Sequence, residues 1–563
     1  MRNEISKQLS ETGKYLTDTF NAKSCDIAKS QLELLKLILS ENQTSQFGKR
    51  HNFADIKSIE QFQASIPIQN YESLSAYINL VTKGVENALQ TEKVIMFNLT
   101  SGTTDKPKYI PVTQSFEKKT ANAMTQWLYR ILREHPNFLN GKSFIIASSI
   151  NESATSAGTP CGSMSGLIYH NLPTFMHESF ALPFFLSKVQ DYDLRYYLMA
   201  RLGFESDVSF LATPNPMTLI KLAETGVKYQ NEIIEAIEKG SPFTNELFKL
   251  KENDSAIVER LNKQLYANPQ RAGFLRSKAS EHTELLPKHY WKNLSVIGCW
   301  LGGAIGYHAH CLKEYYGNVP LRDLGYMASE GIITIPTEDN TAKGVLAIEN
   351  SFYEFIPSES DSPTPLLSHQ LKVGKRYKIL LTNHSGLYRY DINDTIKVEG
   401  FYNQTPIISF VRKTENVLNI MGEKVHINHL IHAADETQKK LGNKWLQFRI
   451  ISSLENRRYE IMLTTENSLS QHFIEHELIP AFDSFLSECN MEYQQKRKSH
   501  RLRIPCVHLM RPGWAEKVKK HDIKNGKRDV QYKWKIAANE LSSEDQEFII
   551  KTISREDSND ESK

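Results

Sequence analysis

The short apolar run VIMFN, residues 94 to 98, reads as a buried strand, and it feeds TSGTTDKPK, residues 100 to 108, where hydroxyl side chains surround one glycine. This is the layout of the strand-to-loop phosphate cradles found in nucleotide enzymes. Thr100, Ser101, Thr103 and Thr104 supply short hydroxyl donors, Gly102 lets backbone N–H groups approach closely, and Lys108 adds a point charge. The run is not a Walker loop, since no G-x-x-x-x-G-K-[ST] pattern occurs in the chain. Taken alone it suits an ordinary Ser/Thr-rich surface turn equally well, so the rest of the chain has to decide.

The order of elements gives the loop a setting. Residues 28 to 40 carry Leu32, Leu35, Ile38 and Leu39 at helical spacing, which predicts an amphipathic helix packed on the main body. Residues 115 to 134 read as a second helix and SFIIASSI, 143 to 150, as a strand, followed by a Gly/Ser/Thr-rich connection. Residues 218 to 265 form a mainly helical block, and 295 to 317 read as strand, glycine-rich turn and helix. A ligand at that strand's carboxyl end meets the turn. From 345 onward short alternating strands predict a β-rich segment, and beyond a hinge near Lys413 the strands FRIISS and YEIMLTT alternate with helices. The expected fold is α/β. A large N-terminal domain, residues 1 to 412, has β-sheets with packed helices and a β-rich subdomain. A smaller, mobile α+β C-terminal domain spans 413 to 563, with a disordered tail from about 555.

Composition narrows the function classes. A chain of 563 residues is too long for one core and implies roughly two to four domains. The net charge of +3 is small for this size, so nucleic acid is not an expected partner. Six scattered cysteines (Cys25, Cys161, Cys299, Cys311, Cys489, Cys506) form no C-x-x-C pair and no Cys/His cluster at zinc-ligand spacing, as expected of reduced thiols in a cytoplasmic protein. The N-terminus lacks a signal-type apolar core, and no stretch of about 18 apolar residues predicts a membrane span. The richest apolar stretch, LPTFMHESFALPFFL at 172 to 186, reads as core or substrate-pocket wall.

Four separated segments then stand in a telling order: TSGTTDKPK at 100, WLGGAIG at 300, YMASEG at 326 and GLYRYDINDTIKVEG at 386. Together they resemble an adenylate-forming enzyme, of the superfamily that includes acyl-CoA and aryl-CoA synthetases, peptide synthetase adenylation domains and luciferase. More closely, the chain resembles the auxin-responsive Gretchen Hagen 3 acyl-acid amido synthetases and their bacterial relatives. The likeness extends to NQTSQFGKRHNF (42 to 53), FYNQTPIISFVRKTENVLNI (401 to 420), RPGWAEKV (511 to 518) and QYK (531 to 533), and so covers nearly the whole chain.

The resemblance implies ATP bound between a large N-terminal and a mobile C-terminal domain. It assigns Thr100, Ser101, Gly102, Thr103, Thr104 and Lys108 to the phosphate loop, and Gly302, Gly303 and Ala304 to the turn lining the adenine. Tyr326 is assigned to pack on the base, Ser329 to contact the α-phosphate region and Glu330 to hold Mg2+. Asp394 is assigned to hydrogen-bond the ribose hydroxyls, with Arg412 as a further ribose contact, and Lys533 to stabilise charge during adenylation, with Lys535 a nearby competitor. Singly, each position has a plainer reading: Gly302-Gly303 as a tight turn, Glu330 as a solvated acid, Asp394 as the partner of Arg389. Two departures stand out. Asp105 occupies a position usually held by glycine, and WKIAANE follows Lys533 in place of the usual proline- and arginine-containing continuation.

The reaction so implied joins a small carboxylic acid, through an acyl-adenylate, to an amine such as that of an amino acid. An acyl pocket is expected between the helix at 121 to 134 and the wall at 160 to 186, with Arg130 as carboxylate partner and Trp127, Tyr169 and Phe175 as aromatic lining; these residues equally suit a solvated helix face and a packed core. The alternatives are an acyl-CoA ligase using the same adenylation step, and a non-catalytic nucleotide-binding protein. The identities of the acid and amine and the oligomeric state are not legible.

Overall fold

The structure is a computed structural model. It describes every residue except 1, 101–107, 147–152, 165, 167–178, 244–246, 303–305, 307–308, 359–363, 414–416, 419, 421–422, 424, 499–500, 526–528, 530–531 and 556–563. The chain divides into two compact units, Met1–Val411 and Arg412–Lys563.

In the first unit, helix Ile27–Asn42 buries Ile27, Gln31, Leu34, Leu35, Ile38, Leu39 and Asn42, the stripe its apolar spacing demands. Asp26 caps it by accepting from Lys29 N at 3.1 Å. The buried Gln31 amide fixes its seat, donating to Ile348 O at 2.8 Å and accepting from Tyr353 N at 2.9 Å. Strand Tyr353 belongs to a seven-stranded sheet in the spatial order 334–335, 344–346, 405–413, 390–402, 376–382, 352–357, 366–367. This is the β-rich region that the alternating pattern beyond 345 predicts.

A second sheet has four parallel strands in the order Lys142–Ile145, Val208–Ala212, Val296–Gly298, Leu321–Arg322. Helices Tyr192–Glu205 and Pro216–Lys228 flank the fully buried strand Val208–Ala212 in sequence. Parallel strands covered by helices read as continuous apolar runs, which is how VSFLA is written. In a third sheet, Val94–Thr100 pairs antiparallel with Lys108–Thr113 and parallel with Pro160–Gly162. Helix Gln114–Glu134 follows directly, capped by Thr113, which accepts from Phe116 N.

The second unit is built on a five-stranded mixed sheet in the order 537–538, 445–453, 458–465, 506–510, 549–554. Helices Ile427–Leu441 and Ile479–Cys489 pack against each other. On its other side the buried Arg449 makes two 2.7 Å bonds to Asp545, and Trp514 Nε1 donates to the same carboxylate at 2.8 Å. A buried pair of this kind survives when its charges are paired and hydrogen-bonded, and Arg449 Nε also donates to Lys535 O at 2.9 Å. The tail expected to be disordered from about 555 lies, beyond Arg555, outside the described residues. Among the described residues no helix is long and apolar enough to cross a membrane.

Candidate active site

The four motifs reach their positions through the strands that carry them. TSGTTDKPK begins and ends on paired residues, since Thr100 and Lys108 stand opposite each other at the ends of two antiparallel strands. Its central residues Ser101, Gly102, Thr103 and Thr104, with Asp105, lie outside the described residues, as does the Thr100 side chain. Lys108 is described, with its Nζ 5.5 Å from the centre of the Tyr71 ring. Tyr71 also accepts a hydrogen bond from Tyr109 N at 2.9 Å, which pins the outgoing strand.

The WLGGAIG and YMASEG segments follow the carboxyl ends of two neighbouring parallel strands, Val296–Gly298 and Leu321–Arg322. Ligands of open α/β sheets gather at this edge. Asp323 ties the two segments together: its buried carboxylate accepts from Leu301 N at 2.7 Å and from Gly325 N at 2.6 Å. Burial pushes this carboxyl up to about 6, against the two amides, which pull it down. Trp300 Nε1 adds a bond to Gly325 O at 3.1 Å. Gly302 is packed so closely that a Cβ there would stand 3.1 Å from the Ala342 methyl. Gly303 and Ala304 lie outside the described residues.

Ser329 and Glu330 form the two-residue tip between strands Met327–Ala328 and Gly331–Ile332. Gly331, at φ +156°, follows the tip in a conformation that disfavours side chains. Two carboxamides hold the tip from outside. Asn98 Nδ2 donates to Ser329 O at 3.0 Å, and Asn383 Nδ2 donates to Glu330 O at 3.0 Å. Asn98 sits on the strand that enters the hydroxyl loop, so the start of that loop and the Ser329–Glu330 tip are anchored to each other.

Asp394 arrives by an irregularity in strand Tyr390–Tyr402. Lys378 pairs with Thr395 while Leu380 pairs with Asp391, so extra residues stand on one side of the ladder. Asn393 takes φ +61°, and Asp391 accepts from Asn393 N at 2.7 Å. Bulges re-aim side chains. Here the buried Asp394 accepts from the Tyr326 hydroxyl at 2.6 Å. Burial and the neighbouring Asp394 carboxylate both push the Tyr326 phenol well above its ordinary range, which keeps it a donor. The Tyr326 ring packs on Phe410 with centroids 5.3 Å apart. Arg389, the rival partner for Asp394, instead pairs with buried Glu354 at 2.9 Å.

Tyr326, Ser329, Glu330, Asp394 and Gly302 therefore belong to one connected neighbourhood, entered by the strand of the hydroxyl loop. The structure does not bring Arg130 there. Helix Gln114–Glu134 meets Gly331 through Phe116. Arg130 stands fourteen residues further along, about 21 Å at the helical rise, with its guanidinium 5.6 Å from the Tyr402 ring centre. Trp127 is a core residue at 3% exposure, donating from Nε1 to Asp323 O at 2.8 Å. Tyr169 and Phe175 lie outside the described residues. A cavity of about 960 Å³ lined by Phe180, Leu182, Phe184, Lys142 and Asp207 opens at the amino ends of the parallel strands, away from the motif edge. Sequence reading passed over Asp323, Asn98 and Asn383; Asp323, three residues before Tyr326, carried the only local hint.

Arg412 is the penultimate residue of the long strand Thr405–Lys413, and its side chain is outside the description. In the second unit, Lys533 and Lys535 alternate with the inward residues Tyr532, Trp534 and Ile536 and share the exposed side of an extended segment. Tyr532 donates to Asp522 at 3.0 Å and Trp534 Nε1 to Phe448 O at 2.7 Å, so the backbone presenting both lysines is anchored on either side of Lys533.

Models of the GH3 family N-terminal, central and C-terminal domains match residues 16–321, 344–413 and 428–542, in order along the chain. This chain belongs to the GH3 family. Among curated GH3 relatives, the jasmonoyl–L-amino acid synthetase JAR4 of Nicotiana attenuata is 24% identical over 544 residues, 92% of each chain. Among solved structures, an acyl acid amido synthetase of the family, AtGH3.15 in complex with 2,4-DB, superposes with a TM-score of 0.84 at 18% identity, over 96% of this chain and 97% of that one. A 2-hydroxyisobutyryl-CoA ligase in its postadenylation state superposes more loosely, with a TM-score of 0.52 at 12% identity over 91% and 89%. The GH3 fold is thus the nearer of the two.

Proposed function

We propose that this GH3 protein is an ATP-dependent acyl acid amido synthetase that converts a small carboxylic acid to its acyl-adenylate and passes the acyl group to the amine of an amino acid. Pyrophosphate leaves in the first half-reaction and AMP in the second. The observation that carries this reading is the 2.6 Å bond between Tyr326 and Asp394 beside the Ser329–Glu330 tip, in a chain matched by all three GH3 domain models.

A carboxylate is a poor acyl donor at neutral pH and needs a leaving group, which ATP supplies. The donor set suits the nucleotide chemically. Asp394, held ready by Tyr326, accepts from the ribose hydroxyls. Thr100, Ser101, Thr103, Thr104 and Lys108 offer donors to phosphate oxygens around Gly102, while Gly302, Gly303 and Ala304 line the base. Ser329 contacts the α-phosphate region, and Arg412 adds a ribose contact. Glu330 is the hard oxygen ligand that would hold Mg2+, which when bound offsets phosphate charge. Lys533, from the C-terminal unit, stabilises negative charge as the acid attacks. None of the six cysteines forms a disulfide, in keeping with a cytoplasmic enzyme.

The family relation favours an amine acceptor over a thiol. The test is a single-turnover experiment: enzyme, ATP and a reactive acid are mixed, and AMP release is followed after adding either the standard amino acids or coenzyme A. Amino acids should accelerate release and give an amide detected by mass spectrometry. Acceleration by coenzyme A alone, with a thioester product, would replace this reading with the acyl-CoA ligase.

A further inference from the structure

Away from the nucleotide residues, Glu460, Cys506 and His508 meet on one face of the C-terminal sheet. Glu460 and Cys506 are paired residues on adjacent parallel strands, and His508 lies two residues further, so strand alternation turns all three side chains the same way. All are buried, and one ligand atom from each lies within 4.8 Å of the other two. His508 Nε2 is 3.0 Å from Glu460 Oε2. Outer contacts fix both groups: His508 Nδ1 is 2.8 Å from Thr552 Oγ1, and Asn456 Nδ2 donates to Glu460 Oε1 at 2.9 Å. Such second contacts are what orient metal-binding histidines and carboxylates.

A comparable trio, Glu134, His135 and Asp339, shows what a cluster looks like when its cation is already supplied. There the Arg322 guanidinium bonds Asp339 at 2.7 Å and also Glu134. In the C-terminal trio the nearby guanidinium is held more loosely: Arg458 Nε stands 3.9 Å from Glu460 Oε1, and its charge also acts on the Cys506 thiol, which burial pushes up and Arg458 pulls down.

We infer that Cys506 Sγ, His508 Nε2 and Glu460 Oε2 form a binding site for a zinc ion, with a fourth position for water. A borderline-soft ion suits a mixed S, N, O set, and bonds of about 2.0–2.3 Å place tetrahedral ligands roughly 3.3–3.8 Å apart, so modest side-chain shifts suffice. Loading displaces the Cys506 thiol proton and the proton shared by His508 and Glu460 to solvent, because zinc ligands bind deprotonated. The exposed turn 454–457 precedes Arg458 and carries Asn456, the outer partner of Glu460. Sequence spacing hides the site, since Glu460 comes from a neighbouring strand.

The inference is independent of the amide-forming reaction, and its test uses the full chain stripped with a chelator. Titration with zinc alone against a metal indicator should give one equivalent bound, with affinity lowered at least tenfold in Cys506→Ser and in His508→Gln. Cobalt(II) in the wild type should produce tetrahedral d–d bands with a thiolate charge-transfer band, a readout that requires no variant to fold. Equal zinc binding by wild type and folded variants, or a cobalt spectrum without the thiolate band, would overturn the site.

Discussion

Replacing Asn383 by alanine removes the amide that donates to Glu330 O at 3.0 Å, and with it the Oδ1 that accepts from Ser385 N at 3.0 Å and Leu387 N at 3.4 Å within its own turn, so the Glu330 bond is one part of the loss. A neutral hydrogen bond contributes about 0.5–1.5 kcal/mol net, and stranding its partner raises the loss to about 1–3 kcal/mol. If that energy fixes the tip carrying Glu330, the rate of acid-dependent exchange between ATP and pyrophosphate falls roughly 5- to 150-fold. The assay is exchange measured against ATP and Mg2+ concentration, with thermal unfolding in parallel. We expect kcat to fall and the Mg2+ requirement to rise while ATP affinity changes little. Asn98→Ala, which releases Ser329 O, should have an effect of similar size. The double variant should lose less than the product of the two, because both amides restrain one two-residue tip. A lowered Tm with unchanged kcat and Mg2+ dependence would refute the reasoning, reducing both asparagines to fold stabilisers.

Other outcomes follow from the same geometry. Asp394→Ala should raise the ATP concentration for half-maximal exchange about 10- to 150-fold, the range for a lost charge-assisted bond, and unaltered nucleotide affinity would remove the ribose contact. Lys533→Ala should depress adenylation about 100- to 1,000-fold with ATP binding nearly intact, whereas the same loss confined to Lys535→Ala would reassign the role. Asp323 gives a pH signature. Its folded pKa, about 6, lies above the ordinary carboxyl value, so the folded state holds more protons between roughly pH 4 and 6 and this group's contribution to stability rises as pH falls through 6. Relative to Asp323→Asn, wild type should gain on the order of 1 kcal/mol between pH 7 and pH 5 in denaturant titrations, and a flat difference would contradict the assignment.

The motifs were legible because each is a run of neighbouring residues. YMASEG and YRYDIND carry Tyr326 and Asp394 openly, and the apolar spacing of 28 to 40 predicts a helix whose buried face does hold Leu35, Ile38 and Leu39, with Leu34 buried and Leu32 only half-buried. What joins the motifs was not legible, because the joining bonds span the chain: Asn98 reaches Ser329 over 231 residues, and Tyr326 reaches Asp394 over 68. Asp394 is aimed by a bulge whose only local trace is Asn393, a residue type that tolerates positive φ. Helix faces were read less well. Trp127 and Arg130 are one turn apart on a long helix, and only packing reveals that one lies in the core under Asp323 while the other sits against Tyr402. The same holds for Lys533, whose exposure follows from the inward turn of Tyr532 and Trp534.

The central claim, that these residues build a carboxylate-activating ATP site, is tested most directly by exchange of labelled pyrophosphate into ATP across a broad panel of small carboxylic acids. The account predicts exchange that requires both Mg2+ and a particular acid and that is severely reduced in Asp394→Ala. Absence of acid-dependent exchange across the panel, in a protein that still binds ATP, would contradict it and leave a nucleotide-binding protein without this chemistry.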